Sequence, residues 1–214
     1  MKKNLKTYEL IVSDKDDDTL VNRISLVSQP AIEIEWVAMS KDKPKPFKFK
    51  IENAERRYLT GIFMVPDQPI YRVDRDAMGN VIEEYFVIMS KETIEKCVKK
   101  FFKNGLTSST NLEHAEGANT KDVYIIESWI TTANNDKTKN YGFNVPEGSW
   151  AGTIFVENEK IWTEYIKSGE LTGFSIEANM LKSNIPVGEN FEQVYDKEIM
   201  ELAVMFESFI KSNK

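Results

Sequence analysis

The sequence predicts an α+β protein in which about seven strands form a sheet or barrel and three helices pack outside it. Two patterns support this fold class. Short apolar runs with alternating polarity, separated by turn residues, recur between residues 58 and 180. Three other segments carry apolar residues at the spacing of a helix. A length of 214 residues suits one large domain, or one domain with appended arms.

The predicted strands are short and follow one another closely along the chain. They cover residues 7–12, 58–65, 81–89, 122–131, 150–157 and 170–180, and 66–73 holds a turn and a further short strand. An extended apolar segment covers 24–39, and a short polar strand in 110–117 ends at His114. The spacing of Asp74, Asp76 and Gly79 is similar to part of a calcium loop. Met78 stands where an oxygen ligand would be needed and no glutamate closes the loop, so we interpret 75–80 as a hairpin turn.

The first predicted helix, 91–103, has an N-cap at Ser90 and ends at Asn104 and Gly105. Its apolar face includes Cys97, which we interpret as a structural thiol because no cationic residue shares that face. The second helix covers 159–168, and the third is an amphipathic segment near 196–210.

Composition divides the chain into three parts. Residues 1–50 hold a strand, an acidic loop and an arm rich in lysine and proline, which gives the boundary with the main domain. Residues 51–180 form the predicted core, and residues 181–214 hold the C-terminal helix, which we expect to pack on that core.

The residue counts exclude several kinds of site. One histidine and one cysteine cannot form a structural zinc site within one chain, and no cofactor or metal is predicted. The net charge of −6 argues against nucleic acid as a direct partner. No run of 18 apolar residues occurs, so we expect a soluble, intracellular protein without a membrane span.

Two residues stand out as candidates for chemistry. His114 is the one imidazole available as a general base, and it lies in a polar context rather than on an apolar helical face. In the strand around GFSIEA, alternation places Ser175 on one face with Gly173 and Glu177, leaving space beside the hydroxyl for an attacked carbonyl. We expect Ser175 and His114 to lie within about hydrogen-bond reach of each other.

A third group would hold the imidazole in one tautomer. The residues themselves leave several carboxylates open for this role, and the pattern does not rank them. These are Glu127, which interrupts an apolar strand face, and Glu177, Glu198 and Glu201.

Several segments resemble one known family in the same order. They are VPDQPIYR (65–72), EEYFVIMSKETIEK (83–96), TNLEH (110–114), VYIIESWI (123–130) and, most specifically, residues 145–178 ending in GFSIEA. Together they resemble the XkdF-like serine proteases of tailed phages, which belong with the prohead maturation proteases related to the herpesvirus assemblins. The resemblance covers residues 58–178.

This resemblance implies an assemblin-like β-barrel and a serine endopeptidase with Ser175 as nucleophile and His114 as general base. Assemblins use a second histidine as third member; this chain has none, and the family-like segment IIESWI places Glu127 in that role. The motif ISLVSQPAIE (24–33) resembles one found downstream of the serine in other prohead proteases, so its position here departs from their order.

The implied substrates are the scaffold protein, the major capsid protein and the portal protein, cleaved in the assembling prohead in the host cytoplasm. A homodimer and a monomer both stay open. Two alternatives remain: a catalytically inactive structural or scaffold-binding head protein with the same fold, and a hydrolase that depends on carboxylates.

Overall fold

A computed structural model describes residues 5–28, 48–115, 120, 122–134 and 136–187. Eleven strands and two α-helices lie in these residues, together with 3₁₀ helices at Leu106–Ser108 and Lys137–Tyr141. The strands are β1 (Lys6–Ile11), β2 (Leu20–Val27), β3 (Lys50–Asn53), β4 (Tyr58–Met64), β5 (Ile70–Arg75), β6 (Val81–Ile88), β7 (Thr110–Leu112), β8 (Val123–Ile130), β9 (Trp150–Val156), β10 (Gly173–Asn179) and β11 (Leu181–Pro186). The helices are α1 (Lys91–Lys103) and the short α2 (Glu159–Ile161), and α2 continues as a π-helical segment over Trp162–Ile166.

The strands form three sheets, with orders β11-β1-β6-β5, β10-β2-β7 and β3-β4-β9-β8. The α+β class is therefore confirmed. Four strands lie beyond the predicted seven. β2 overlaps the extended segment 24–39 and β7 the polar segment 110–117, whereas β3 and β11 carry no clear alternation of polarity. Within the described ranges the three sheets do not join into a closed barrel.

Helix α1 confirms the predicted cap and both boundaries. The Ser90 side chain accepts a hydrogen bond from Thr93 N at 3.2 Å, and Gly105 follows the helix with φ +66°. The buried face includes Ile94, Cys97 and Phe101. The second predicted helix is interrupted by the π-helical segment, and the third, near 196–210, lies outside the described residues.

The N-terminal strands are hydrogen-bonded into the same sheets as the rest of the chain. Strand β1 pairs in parallel with β6 and antiparallel with β11, and β2 is the middle strand between β7 and β10. Most of the lysine- and proline-rich arm lies outside the described residues. The three-part division of the chain therefore stays a prediction.

An aromatic cluster anchors β10 from its apolar face. Phe63 of β4 packs edge-on against Phe174 at 5.1 Å between ring centroids and against Trp150 at 5.3 Å, and Phe101 of α1 also contacts Trp150. Because Phe174 is 2% exposed, the adjacent Ser175 is fixed in position by a packed core.

The hairpin turn between β5 and β6 is confirmed. The Asp76 carboxylate accepts hydrogen bonds from Met78 N and Asn80 N, both at 2.9 Å, and Gly79 has φ +87°. None of the described helices has the length and apolar composition of a membrane span. The described residues also contain no group of three or more histidine, cysteine or acidic side chains arranged to hold a metal.

Candidate active site

His114 follows β7 in a tight turn. Glu113 and His114 both have left-handed backbone conformations, with φ of +52° and +54°. Such conformations cost about 1–3 kcal/mol for residues with a side chain and are common at functional sites. Two bonds hold the turn against β2: Glu113 N donates to Leu26 O at 3.0 Å, and Glu113 Oε1 accepts from Ser28 N at 2.6 Å. The imidazole is thereby held beside β2.

Glu177 of β10 is the centre of the polar network around that imidazole. Its Oε1 accepts hydrogen bonds from Asn111 Nδ2 at 2.8 Å, His114 Nδ1 at 3.0 Å and Ser25 Oγ at 3.1 Å. Its Oε2 pairs with Arg23 Nη1 at 3.1 Å. Four donors from three segments of the chain therefore converge on one carboxylate.

These donors keep the Glu177 carboxylate ionised. Partial burial alone would raise the pKa of the Glu177 carboxyl, but the hydrogen bonds from His114, Asn111 and Ser25, together with the Arg23 charge, lower its pKa below the ordinary value. The ionised carboxylate can only accept hydrogen bonds, so every one of its neighbours must donate.

This requirement assigns the two nitrogens of His114. Nδ1 lies 3.0 Å from Glu177 Oε1 and 3.1 Å from Ser25 Oγ. If Nδ1 carries the hydrogen and donates it to Glu177, Ser25 must direct its own hydrogen to Glu177 as well. In a neutral imidazole Nε2 is then the unprotonated nitrogen, and so the one that can act as a base.

Ser175 lies on the same face of the sheet as this network. It is the direct cross-strand partner of Ser25, and antiparallel partners project to the same side. Ser175 is 7% exposed, whereas Ser25 is 0% exposed. The expected hydrogen bond between Ser175 and His114 is not formed, because Nδ1 is directed to Glu177 and Ser25 and no bond to Nε2 occurs among the described residues.

A cleft of about 270 Å³ borders β10 next to Ser175. Its lining is mostly apolar and comes from β1, β4, β5 and β10 and from the residues that follow β6 and β10: Leu10, Phe63, Ile70, Arg72, Met89, Ser175, Ile176, Ala178 and Met180. Such a cleft can accept an apolar side chain close to the serine.

Glu127 is not the carboxylate beside His114. It lies on β8, in a different sheet, and its carboxylate pairs with Lys137 Nζ. The sequence argument was that a charge interrupting this strand needs a partner, and Lys137, ten residues further on, is that partner. Among the other candidates, Glu177 contacts His114, while Glu198 and Glu201 lie outside the described residues.

Three residues of the network were missed by sequence reasoning: Arg23, Ser25 and Asn111. Asn111 lies three residues before His114 in TNLEH, and Ser25 lies in the ISLVSQPAIE motif, so each carried a local signal. Arg23 carried none, because its role depends on the register that pairs it with Glu177.

Comparison with known families supports the chemistry that this geometry suggests. Residues 47–183 match the family model described as "Putative phage serine protease XkdF". The match includes Asn111, His114, Ser175 and Glu177. Comparisons with curated proteins and with solved structures gave no match. Since the family model covers more than half of the chain, this protein belongs to the family described as "Putative phage serine protease XkdF".

Proposed function

We propose that this protein is a prohead serine endopeptidase in which Ser175 is the nucleophile, His114 the general base and Glu177 the orienting carboxylate. The observation that carries the proposal is the contact between Glu177 Oε1 and His114 Nδ1 on the sheet face that also presents Ser175. A carboxylate on Nδ1 fixes the tautomer in which Nε2 is free to take a proton.

The proposed reaction has two stages. His114 Nε2 removes the hydroxyl proton of Ser175 as Oγ attacks the substrate carbonyl carbon, which forms a tetrahedral intermediate. The imidazolium then gives that proton to the leaving amine, the peptide C–N bond breaks, and an acyl-enzyme remains. Water, deprotonated by the same Nε2, then attacks the ester carbonyl. The imidazolium returns that proton to Ser175 Oγ as the ester C–O bond breaks, which releases the acid and restores Ser175.

Ser25 is the rival nucleophile, since its hydroxyl is already 3.1 Å from the imidazole. Three observations favour Ser175. Ser25 is fully buried, its hydroxyl donates to Glu177, and the nitrogen that it contacts is Nδ1, which Glu177 already takes as its donor. A serine whose proton is held by a carboxylate and that no substrate can reach is better suited to hold the network together.

The biological part of the proposal follows from the resemblance to the prohead maturation proteases. The protein would cleave the scaffold, major capsid and portal proteins inside the assembling prohead in the host cytoplasm. Its core would be related to that of the assemblins. A head protein of the same fold without catalysis is the alternative that the following test decides.

The test is covalent labelling of the full chain by a fluorophosphonate, with peptide mapping of the modified residue. We expect label on Ser175, with labelling abolished by Ser175→Ala and reduced at least a hundredfold by His114→Ala. Ser25→Ala should weaken labelling but not abolish it, and Ser168→Ala, at an exposed serine outside the site, should leave it unchanged. Label on Ser25, or equal labelling in Ser175→Ala, would refute the assignment of the nucleophile.

Co-expression with the capsid and scaffold proteins tests the substrate. We expect wild-type protein to shorten them, and the Ser175→Ala and His114→Ala variants to leave them at full length. Cleavage that survives either substitution would contradict the mechanism. Full-length capsid and scaffold proteins in the wild type, without labelling of Ser175, would favour the structural alternative.

A further inference from the structure

Strand β2 holds the two halves of the proposed site together. On one edge Ser25 pairs with Asn111 of β7, three residues before His114. On the other edge Ser25 pairs with Ser175 and Arg23 pairs with Glu177 of β10. Strands β7 and β10 do not pair with each other, so β2 sets the distance between base and nucleophile. This strand precedes residue 47 and so lies outside the segment that the family model matches.

Among the described residues, Arg23 makes the contact that fixes the second oxygen of Glu177. Ser25, Asn111 and His114 all donate to Oε1, and Arg23 Nη1 is the donor to Oε2 within the described part of the chain. A glutamate carboxylate bound through one oxygen can still rotate about χ3, because the energy minima of this torsion are broad. Binding through both oxygens removes that rotation and keeps Oε1 aimed at the imidazole.

The Arg23 side chain is poorly arranged for a purely stabilising role. Its Nε is buried without a hydrogen-bond partner among the described residues, although its side chain is 24% exposed overall. A buried donor without a partner opposes folding, and an apolar side chain of similar length would avoid that penalty. A functional role explains why this unsatisfied donor is retained: the guanidinium positions the carboxylate of Glu177, which it contacts.

We propose that Arg23 is a positioning residue for catalysis, which holds Glu177 ionised and in the orientation that fixes the tautomer of His114. This inference rests on the proposed function for its catalytic meaning. The ion pair itself can be tested without any activity, because the chain contains a single histidine. The groups that face Glu177 are Arg23 and Ser25 from β2, Asn111 from β7 and His114 from the turn after it.

The first test is nitrogen NMR of the His114 ring in full-length protein over a pH titration. In wild type and in Arg23→Lys we expect the neutral ring to carry its hydrogen on Nδ1. In Arg23→Met we expect a larger fraction of the Nε2–H tautomer, and we expect the acid transition that reports protonation of Glu177 to move to higher pH. The control is Arg75→Met, because Arg75 donates to Gly79 O in the β5–β6 hairpin, away from the site.

Two results would overturn the proposal: an unchanged tautomer and acid transition in Arg23→Met, or the same changes in Arg75→Met. If Arg23→Met does not fold by circular dichroism, Arg23→Gln, which keeps a donor without the charge, takes its place with the same expectations.

The second test is the fluorophosphonate labelling rate of the same variants against pH. We expect Arg23→Met to be about fivefold slower near neutral pH, with the acid limb displaced upwards, and Arg23→Lys to recover most of the rate. If Arg23→Met lowers the labelling rate by the same factor at every pH, the role of Arg23 is merely structural and the inference is refuted. If Ser175 is not labelled at all, the proposed function fails, while the NMR titration still decides whether Arg23 positions Glu177.

Discussion

Replacing Glu177 by glutamine tests whether the central carboxylate is ionised and held by its four donors. The substitution keeps the size and the Oε1 acceptor but removes the charge and places an NH2 group where Oε2 accepts from Arg23. Two donors then face each other, and the three bonds to Oε1 lose their charge assistance. The predicted result is a less stable protein at neutral pH.

The magnitude follows from these contacts. An ion pair of side chains that are 24% and 31% exposed is worth about 0.5–1 kcal/mol. Leaving a half-buried donor without an acceptor costs about 1–2 kcal/mol more. We therefore expect Glu177→Gln to lower the free energy of unfolding by about 2 kcal/mol, which for a chain of this length lowers Tm by about 4–8 °C.

The effect should depend on pH with a definite sign. The folded-state pKa of Glu177 is lowered, so its charge stabilises the fold fully above the ordinary carboxyl pKa of 4.5, and that stabilisation is lost as pH falls through the lower folded-state pKa. Urea denaturation of both proteins at about pH 7 and about pH 3.5 measures the difference. We expect a difference of about 2 kcal/mol at the higher pH that shrinks at the lower one.

The matched control is Glu127→Gln. Glu127 pairs with Lys137, and its side chain is 47% exposed, so the change should stay within about 0.5 kcal/mol. The reasoning is refuted if Glu177→Gln costs less than about 0.5 kcal/mol near neutral pH, if its effect is equal at both pH values, or if Glu127→Gln has the larger effect.

Three further predictions concern the scaffold. Burial raises the pKa of Cys97 to about 12. We therefore expect a disulfide reagent near neutral pH to react with this single cysteine only after denaturation. Fast reaction of the native protein would show that helix α1 is not packed as described. Lys100 Nζ donates hydrogen bonds to the backbone carbonyls of Ser13, Asp16 and Thr19. Lys100→Met should therefore lower the free energy of unfolding by about 1–3 kcal/mol and speed amide hydrogen exchange over residues 13–19. Unchanged exchange would contradict the role of Lys100 in holding this segment. A Cβ on Gly152 would lie 2.4 Å from Phe63 Cε2 and 2.8 Å from the backbone oxygen of Glu127. Gly152→Ala should therefore lower the free energy of unfolding by about 1–3 kcal/mol. An unchanged Tm in thermal denaturation would contradict the close contact of the Phe63 ring with Gly152.

The parts of the fold that the sequence predicts are those with local signals. Ser90 and Gly105 mark the ends of α1 because capping acts within one helical turn, and the alternation around GFSIEA places Ser175 and Glu177 on one face because the strand period is two. Helix α2 differs because the local pattern of apolar residues does not distinguish an α-helix from a π-helical segment.

The site was predictable only in part, since its network depends on register between distant strands. Ser175 pairs with Ser25, 150 positions earlier in the chain, and the local sequence of either strand does not specify that register. Glu177 was therefore one of several open candidates, and Arg23 was not among the candidates at all. The pairing of Glu127 with Lys137 could not be predicted for a similar reason, because the sequence pattern does not show where the 3₁₀ helix Lys137–Tyr141 lies relative to β8.

The central place of β2 also governs when the proposed site can be completed during synthesis of the chain. Base and nucleophile come from segments more than 60 residues apart in the chain, and the strand that joins them is made before either. A nascent chain that has emerged only as far as the turn after β7 carries β2 and His114 but has neither Ser175 nor Glu177. Domains fold as units, and the proposed site is complete only when β10 has paired with β2. Under the proposed mechanism, the growing polypeptide therefore cannot cleave a substrate until nearly all of the described fold has left the ribosome.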